Sequence, residues 1–165
     1  MIQNQSKHTM SNAQIKFFIA DTDEIKNLAV WLKSHFPTME KTYIGEKGFK
    51  TYIDNFKEKN LLDRRKKGFE ICCAKIEGEI VGFCEYNSNQ IHLFFVAPKY
   101  QNQGIGSMML EQQVKSLNQN GVYNKVIIES PPQAYDFFKK KHFIPTAPEL
   151  ERDGMIFKPM ELHFG

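Results

Sequence analysis

The chain has 165 residues, within the range of one domain and long enough to bury a core without disulfide or metal staples. Hydrophobic residues make up 41% and charged residues 25%, an ordinary globular balance, and no apolar run approaches the about 20 residues of a bilayer-spanning helix, so a soluble protein is expected. The net charge of +3 is too small to demand a nucleic-acid partner, and three cysteines of which two are adjacent (Cys72, Cys73, Cys84) show no zinc-ligand spacing, so reduced thiols and no metal are expected.

Residues 1–12 are polar and lack the apolar centre of a secretory signal; they read as a flexible leader to one domain over 13–165, with the cytoplasm as the default location. Ile15–Ile19 reads as a strand. Asp21 with Glu24 three residues on suits a capping box, opening a helix whose Ile25, Leu28, Ala29, Leu32 and Phe36 form one buried stripe before Pro37. A second helix is predicted from about Glu46, since Phe49, Tyr52, Ile53 and Phe56 repeat that spacing. Arg64, Arg65, Lys66 and Lys67 then form a basic run, read as a solvated loop or as a contact for an acidic partner or a cofactor phosphate.

From Gly68 the period changes to two. Phe69, Ile71 and Cys73 alternate with their neighbours, Glu77-Gly78 makes a tight turn, and 80–86 returns as the second arm of a hairpin. Asn87-Ser88-Asn89 supplies turn residues before Gln90–Val96, rich enough in β-branched and aromatic side chains for a central strand. A helix is predicted over 104–118 with Leu110, Val114 and Leu117 on one face and Gly121 as terminator, followed by a short buried strand at 126–128. Pro132 opens another helix over 132–141. Strands at 143–146 and 155–162 follow, with Asp153-Gly154 as a hairpin turn before the second. Hairpins on both sides of one strand-helix-strand crossover define an α/β domain with one mixed sheet.

The stretch from Leu93 to Ser107 joins the central strand to the crossover helix. Gly104 and Gly106 let the backbone turn tightly and approach a ligand, and the first helical turn presents unpaired NH groups at a positive dipole end, a ready phosphate site. A nucleotide triphosphatase loop needs Lys and then Ser or Thr after the last glycine, where Ser107 and Met108 stand; a dinucleotide fingerprint needs a third glycine. The wider pattern, Gln101-Asn102-Gln103-Gly104-Ile105-Gly106, resembles the coenzyme A signature of the GCN5-related N-acetyltransferases (Gln or Arg, two residues, Gly, one residue, Gly or Ala). The chain is similar to a bacterial-type single-domain member of that family over roughly 15–162 by order of elements, and most specifically over about 90–143.

That resemblance implies a mixed, mostly antiparallel central sheet of six to seven strands with helices on both faces. It implies acetyl-coenzyme A as co-substrate, its pantetheine arm along the backbone of Phe94, Phe95 and Val96, its pyrophosphate on NH groups from Asn102, Gln103, Gly104, Ile105, Gly106 and Ser107, and Gln101, which opens the signature, also at the cofactor. The acceptor is a small-molecule or peptide or protein amine, attacking directly in a ternary complex, with no nucleic acid, membrane or metal involved; paired subunits are common in such proteins, so a homodimer is admitted. An aliphatic amine has a solution pKa near ~10.4 and must lose its proton first. His92, on the face Gln90 takes by strand alternation, is the candidate base; in the similar arylalkylamine acetyltransferases a histidine matches His92. The family's usual tyrosine for the leaving thiolate falls at Phe138, whose ring cannot donate a proton and can only pack against the coenzyme or the sheet, so Tyr135, one helical turn earlier, is the candidate donor. His142 replaces the glycine that ends that helix. The resemblance also places the acceptor among Trp31, His35, Phe36, Tyr43, Phe49 and Tyr52, several of which helical spacing assigns to the core. The missing tyrosine motivates the alternative of a catalytically weak, coenzyme-binding regulatory module.

Overall fold

A computed structural model of the protein describes residues 15–35 and 45–165. Strand β1 (Ile15–Ile19) leads into α1 (Thr22–His35), whose first turn is capped by the Asp21 carboxylate accepting from the Glu24 NH at 2.9 Å. Helices α2 (Gly45–Asn55) and α3 (Glu58–Lys66) follow, then the antiparallel run β2 (Glu70–Ile76), β3 (Glu79–Asn87) and β4 (Gln90–Val96). Helix α4 (Ile105–Gln119) crosses over to β5 (Lys125–Ser130). The chain ends with α5 (Tyr135–Lys140), β6 (Ile144–Pro145), β7 (Leu150–Arg152) and β8 (Met155–His163). Both tight turns take left-handed backbone at their two central residues, Glu77 (φ 50°) with Gly78 (φ 84°) and Asp153 (φ 52°) with Gly154 (φ 79°).

The sheet runs β1-β2-β3-β4-β5-β8-β6, with β7 on β8, and every pairing is antiparallel except β4 with β5. Eight strands stand where six to seven were expected; the extra one is β7, a three-residue arm too short to show alternation. On one face Ile105, Met109 and Leu110 of α4 pack with Ile91, Val96, Val126, Ile128 and Phe138. On the other, Ile25, Leu28 and Leu32 of α1 and Tyr52, Phe56 and Leu61 of α2 and beyond cover Ile71, Cys73 and Phe83. Gly82 explains how close α4 comes: a Cβ there would sit 2.8 Å from the Phe95 carbonyl and 3.0 Å from Met109 Sδ. Among the described residues no helix is long and apolar enough to cross a membrane.

Helix α3 corrects the reading of the basic run. Its sequence shows no apolar stripe, and only Leu61 is buried, yet a fully buried leucine is worth about 1.5–3 kcal/mol and docks the helix. Arg64 and Arg65 lie in its last turn and are turned inward: Arg64 meets Glu85, and Arg65 donates to the Ala20 carbonyl at 2.5 Å. Lys66 and Lys67 stay exposed. The helix predicted over 132–141 is a single 3-10 turn (Pro132–Ala134) followed by α5. It closes with His142 in the left-handed region (φ 68°), as Phe143 NH bonds Phe138 O at 3.0 Å and His142 NH bonds Lys139 O at 3.1 Å.

Candidate active site

Strand β4 keeps its antiparallel partner β3 to the end, from Gln90 opposite Asn87 to Val96 opposite Gly82. Strand β5 likewise keeps β8 from Lys125 to Ser130. Between β4 and β5, however, only Gln90 with Ile127 and Ile91 with Ile128 are paired. Past that point the ladder between the two parallel strands stops, a gap in the sheet's pairing that leaves the β5-facing edge of β4 over 92–96 without a strand partner. Such an edge accepts another extended chain by backbone hydrogen bonding. Gln101 closes the far end of the gap, its Nε2 donating to Val96 O at 2.8 Å.

The parting begins at a β-bulge. Register runs from Ile91 opposite Tyr86 directly to Leu93 opposite Glu85, so His92 is the extra residue. The expectation that Gln90 and His92 share a face rested on unbroken alternation, which the bulge interrupts between them. The inserted residue also reverses the parity of the strand: Ile91, Phe94 and Val96 all pack on the α4 side, while Leu93 and Phe95 face α1–α3. His92 projects at the bulge with its ring 4.7 Å from that of Phe69, tilted 50°. The side chain remains solvent-accessible, but the protein crowded around it removes enough hydration to pull its pKa below the ordinary histidine value. Glu129 across the gap opposes that shift, and Arg64 and Arg152 add to it. Glu129, at the end of β5, is bridged by Arg152 from β7 at 2.5 and 3.2 Å.

Beyond Val96 the chain makes one 3-10 turn (Pro98–Tyr100), steadied by Gln103 Nε2 donating to Lys99 O at 3.0 Å. Asn102 (φ 59°) and Gly104 (φ 86°) adopt left-handed backbone, and Gly104 caps α4 with no side-chain hydrogen bond. The first helical bond is Met108 NH to Gly104 O at 3.0 Å, so the NH groups of Ile105, Gly106 and Ser107 precede the ladder, and no acidic residue occupies that turn. An anion is welcome there. Gly106 faces the rings of Phe137 and Phe94, which a Cβ there would meet at the ordinary contact distances of 3.5 and 3.6 Å.

Phe138 is 1% exposed and wedged among Phe94, Phe137 and Phe143, inside the core below the gap; Phe137, not singled out from the sequence, is the ring nearer the loop. The Tyr135 hydroxyl donates to Glu149 at 3.0 Å, and Lys158 lies 4.5 Å above its ring. Partial burial and then the Glu149 carboxylate push that phenol up to about 12. Of the expected acceptor wall, Trp31, His35 and Phe95 form one aromatic cluster at the end of α1, with Trp31 and His35 centroids 4.2 Å apart and Trp31 and Phe95 5.7 Å apart. Tyr52 is core, edge-to-face with Phe56, and Phe49 is exposed. Phe36 and Tyr43 lie outside the described residues. Two shallow recesses, of about 450 Å³ between β1 and β2 and about 530 Å³ beside α3, touch neither β4 nor the loop.

A mixed sheet whose one parallel pair parts beside a glycine-capped helix start defines an acyl-coenzyme A transferase fold. Comparison with known proteins agrees. Residues 37–164 match the acetyltransferase (GNAT) domain family. An uncharacterized N-acetyltransferase of Archaeoglobus fulgidus is 30% identical over 105 residues, 56% of this chain and 67% of that protein. Among solved structures, a GCN5-related N-acetyltransferase of Rhodopseudomonas palustris superposes with a TM-score of 0.78 at 14% identity, over 94% of this chain and 99% of that one. The PaiA N-acetyltransferase of Thermoplasma acidophilum, solved in complex with coenzyme A, gives 0.68 at 17% identity over 94% and 100%. The chain belongs to the GNAT acetyltransferase family and is an acetyl-coenzyme A-dependent acetyltransferase.

Proposed function

We propose that this enzyme moves the acetyl group of acetyl-coenzyme A to an amine by direct attack while both substrates are bound, with His92 as the base. The observation that carries the reading is the two-rung β4–β5 junction: it leaves a backbone edge at Phe94, Phe95 and Val96 that ends at the uncapped NH groups of α4. Those residues fit the carrier. The edge suits its extended amide-bearing arm, and Gln101, Asn102, Gln103, Gly104, Ile105, Gly106 and Ser107 supply the turn and the donors for its diphosphate. Bound there, acetyl-coenzyme A supplies an acyl group already activated as a thioester. A backbone NH of the Phe94–Val96 edge donates to the reacting carbonyl oxygen. Phe138 supports Phe94 from below.

His92 sits where the gap opens, beside the place an acceptor nitrogen must reach. Its lowered pKa keeps the imidazole neutral, and therefore able to take a proton, to lower pH than an ordinary histidine. A covalent route through cysteine is disfavoured. Burial pushes the Cys73 thiol up to about 12 and Cys84 well above its usual range, and both are fully buried, so neither is a thiolate within reach of the gap. Tyr135 carries no thiolate-protonating role in this reading: its proton is held by Glu149, and a phenol near 12 is a poor donor to a thiolate whose acid has pKa near ~8.5. Solvent at the open gap does that work.

The test follows free thiol from acetyl-coenzyme A with a broad panel of amines between pH 6 and 9, for the native enzyme and His92→Ala. Amine-dependent release is expected, and His92→Ala loses activity mainly below pH ~8, where a solution amine is mostly protonated. Coenzyme binding without amine-dependent release would show a silent module instead. A variant whose pH profile overlays the native one would remove His92 as base.

A further inference from the structure

The last turn of α3 reaches His92 by two routes. Through its side chain, Arg64 Nε donates to both oxygens of Glu85 at 2.8 and 3.1 Å, and Nη2 donates to Asn55 O at 2.6 Å. Glu85 is fully buried on β3 and stands opposite Leu93, so it flanks the bulge at which His92 is the extra residue. Through its main chain, Arg64 O accepts from Phe69 NH at 3.1 Å, across a turn that Gly68 makes at φ 92°. Phe69 is the residue whose ring lies 4.7 Å from His92. One residue thus ties down both the strand that carries the imidazole and the ring that lies against it.

Stability alone is a weak reason for such an arrangement. A buried ion pair gains little over well-packed apolar side chains of the same volume, because desolvating both charges offsets their attraction. What the pair adds is direction: the planar guanidinium is fixed by Nε on the Glu85 carboxylate and Nη2 on the Asn55 carbonyl, whereas leucine against methionine has many arrangements. Bulges are local distortions of a ladder and benefit from such a constraint.

We propose that the Arg64 and Glu85 side chains are positioning residues for His92, holding the β4 bulge so that the imidazole keeps one orientation against the Phe69 ring, which the Arg64 main chain fixes independently of the side chain at that position. The proposal rests on the reading of His92 as base. The charged groups facing the imidazole are Arg64 from α3, Glu129 from β5 and Arg152 from β7. Arg64 and Arg152 disfavour the imidazolium and Glu129 favours it, so the Arg64 charge also helps to keep the ring neutral.

The experiment replaces the pair by apolar residues, Arg64→Met with Glu85→Leu, and separately makes Arg64→Lys, which keeps a cation on Glu85. Ring-labelled histidine followed by NMR, with His92 assigned from His92→Ala, reads its titration and its contact with Phe69; steady-state kinetics separate kcat from KM. In the folded double variant Phe69 stays held by the main chain of residue 64 while the bulge is released, so the imidazole leaves its fixed contact with that ring, the His92 titration moves to higher pH, kcat falls about 10- to 100-fold, and KM for acetyl-coenzyme A stays within about twofold. Arg64→Lys keeps a titration near the native one and falls between the two in kcat, because its ammonium cannot span Glu85 and Asn55 together. A folded variant of either kind with native ring contact, titration and kcat overturns the proposal. Failure of the base reading looks different: His92→Ala then leaves the pH profile unchanged, while the ring contact and titration in the Arg64 variants still report whether the clamp exists.

Discussion

At the scale of single residues, the loop proposed to hold the coenzyme depends on backbone more than on side chains. Gly104 needs φ 86°, and a Cβ there would meet nothing within 4 Å, so the objection to any other residue is conformational alone. Left-handed backbone costs an L-residue roughly 1–2 kcal/mol. In Gly104→Ala the chain either bears that strain or relaxes the turn and moves the NH groups of Ile105 to Ser107. We expect KM for acetyl-coenzyme A to rise about tenfold, equivalent to about 1.4 kcal/mol, with kcat much less affected; a native KM would show that the turn is not what holds the diphosphate. These glycines were legible from the sequence because their spacing is local. Glu85, Arg64 and Phe69 were not: Arg64 and Glu85 meet across 21 positions of sequence, and neither has a local pattern that announces the other.

At the scale of elements, the strands and the two long helices followed from period and turn residues, and the misreadings have particular causes. The bulge at His92 leaves no mark in a run of seven apolar and polar residues, since it is a property of how β4 meets β3. Helix α3 lacks an apolar stripe and is held by one leucine and two arginines turned inward. The departure at His142 was legible, and its consequence can be measured. The ring contact between Phe138 and Phe143, 5.4 Å between centroids, and the two closing hydrogen bonds make a complete helix cap around a residue that is exposed and strained. His142→Gly relieves that strain and regains part of it as flexibility in the unfolded chain. A net gain of up to about 1 kcal/mol is expected, read as a melting temperature about 2–4 °C higher with kcat unchanged. A lower melting temperature would mean that the imidazole itself contributes to the cap.

At the scale of the whole molecule, α4 packs on β3, β4 and β5, and so lies across both sides of the β4–β5 junction. A ligand bound along that junction stabilises the folded form by mass action. At acetyl-coenzyme A a hundredfold above its dissociation constant the gain is about 2.7 kcal/mol, and a domain of this size should melt about 5–10 °C higher; no shift, together with no heat in a calorimetric titration, would remove the coenzyme from the account. The same junction gives the protein an unequal grain. Strands β1–β4 form one leaf and β5–β8 another, stitched by two rungs and clasped by α4, and the five residues 120–124 are where the chain steps from the helix to the second leaf. A protease nick or a circular permutation placed in that step would therefore divide the molecule along the join between the leaves, and a carrier bound between them, as proposed, would act as the splint that brings them back together.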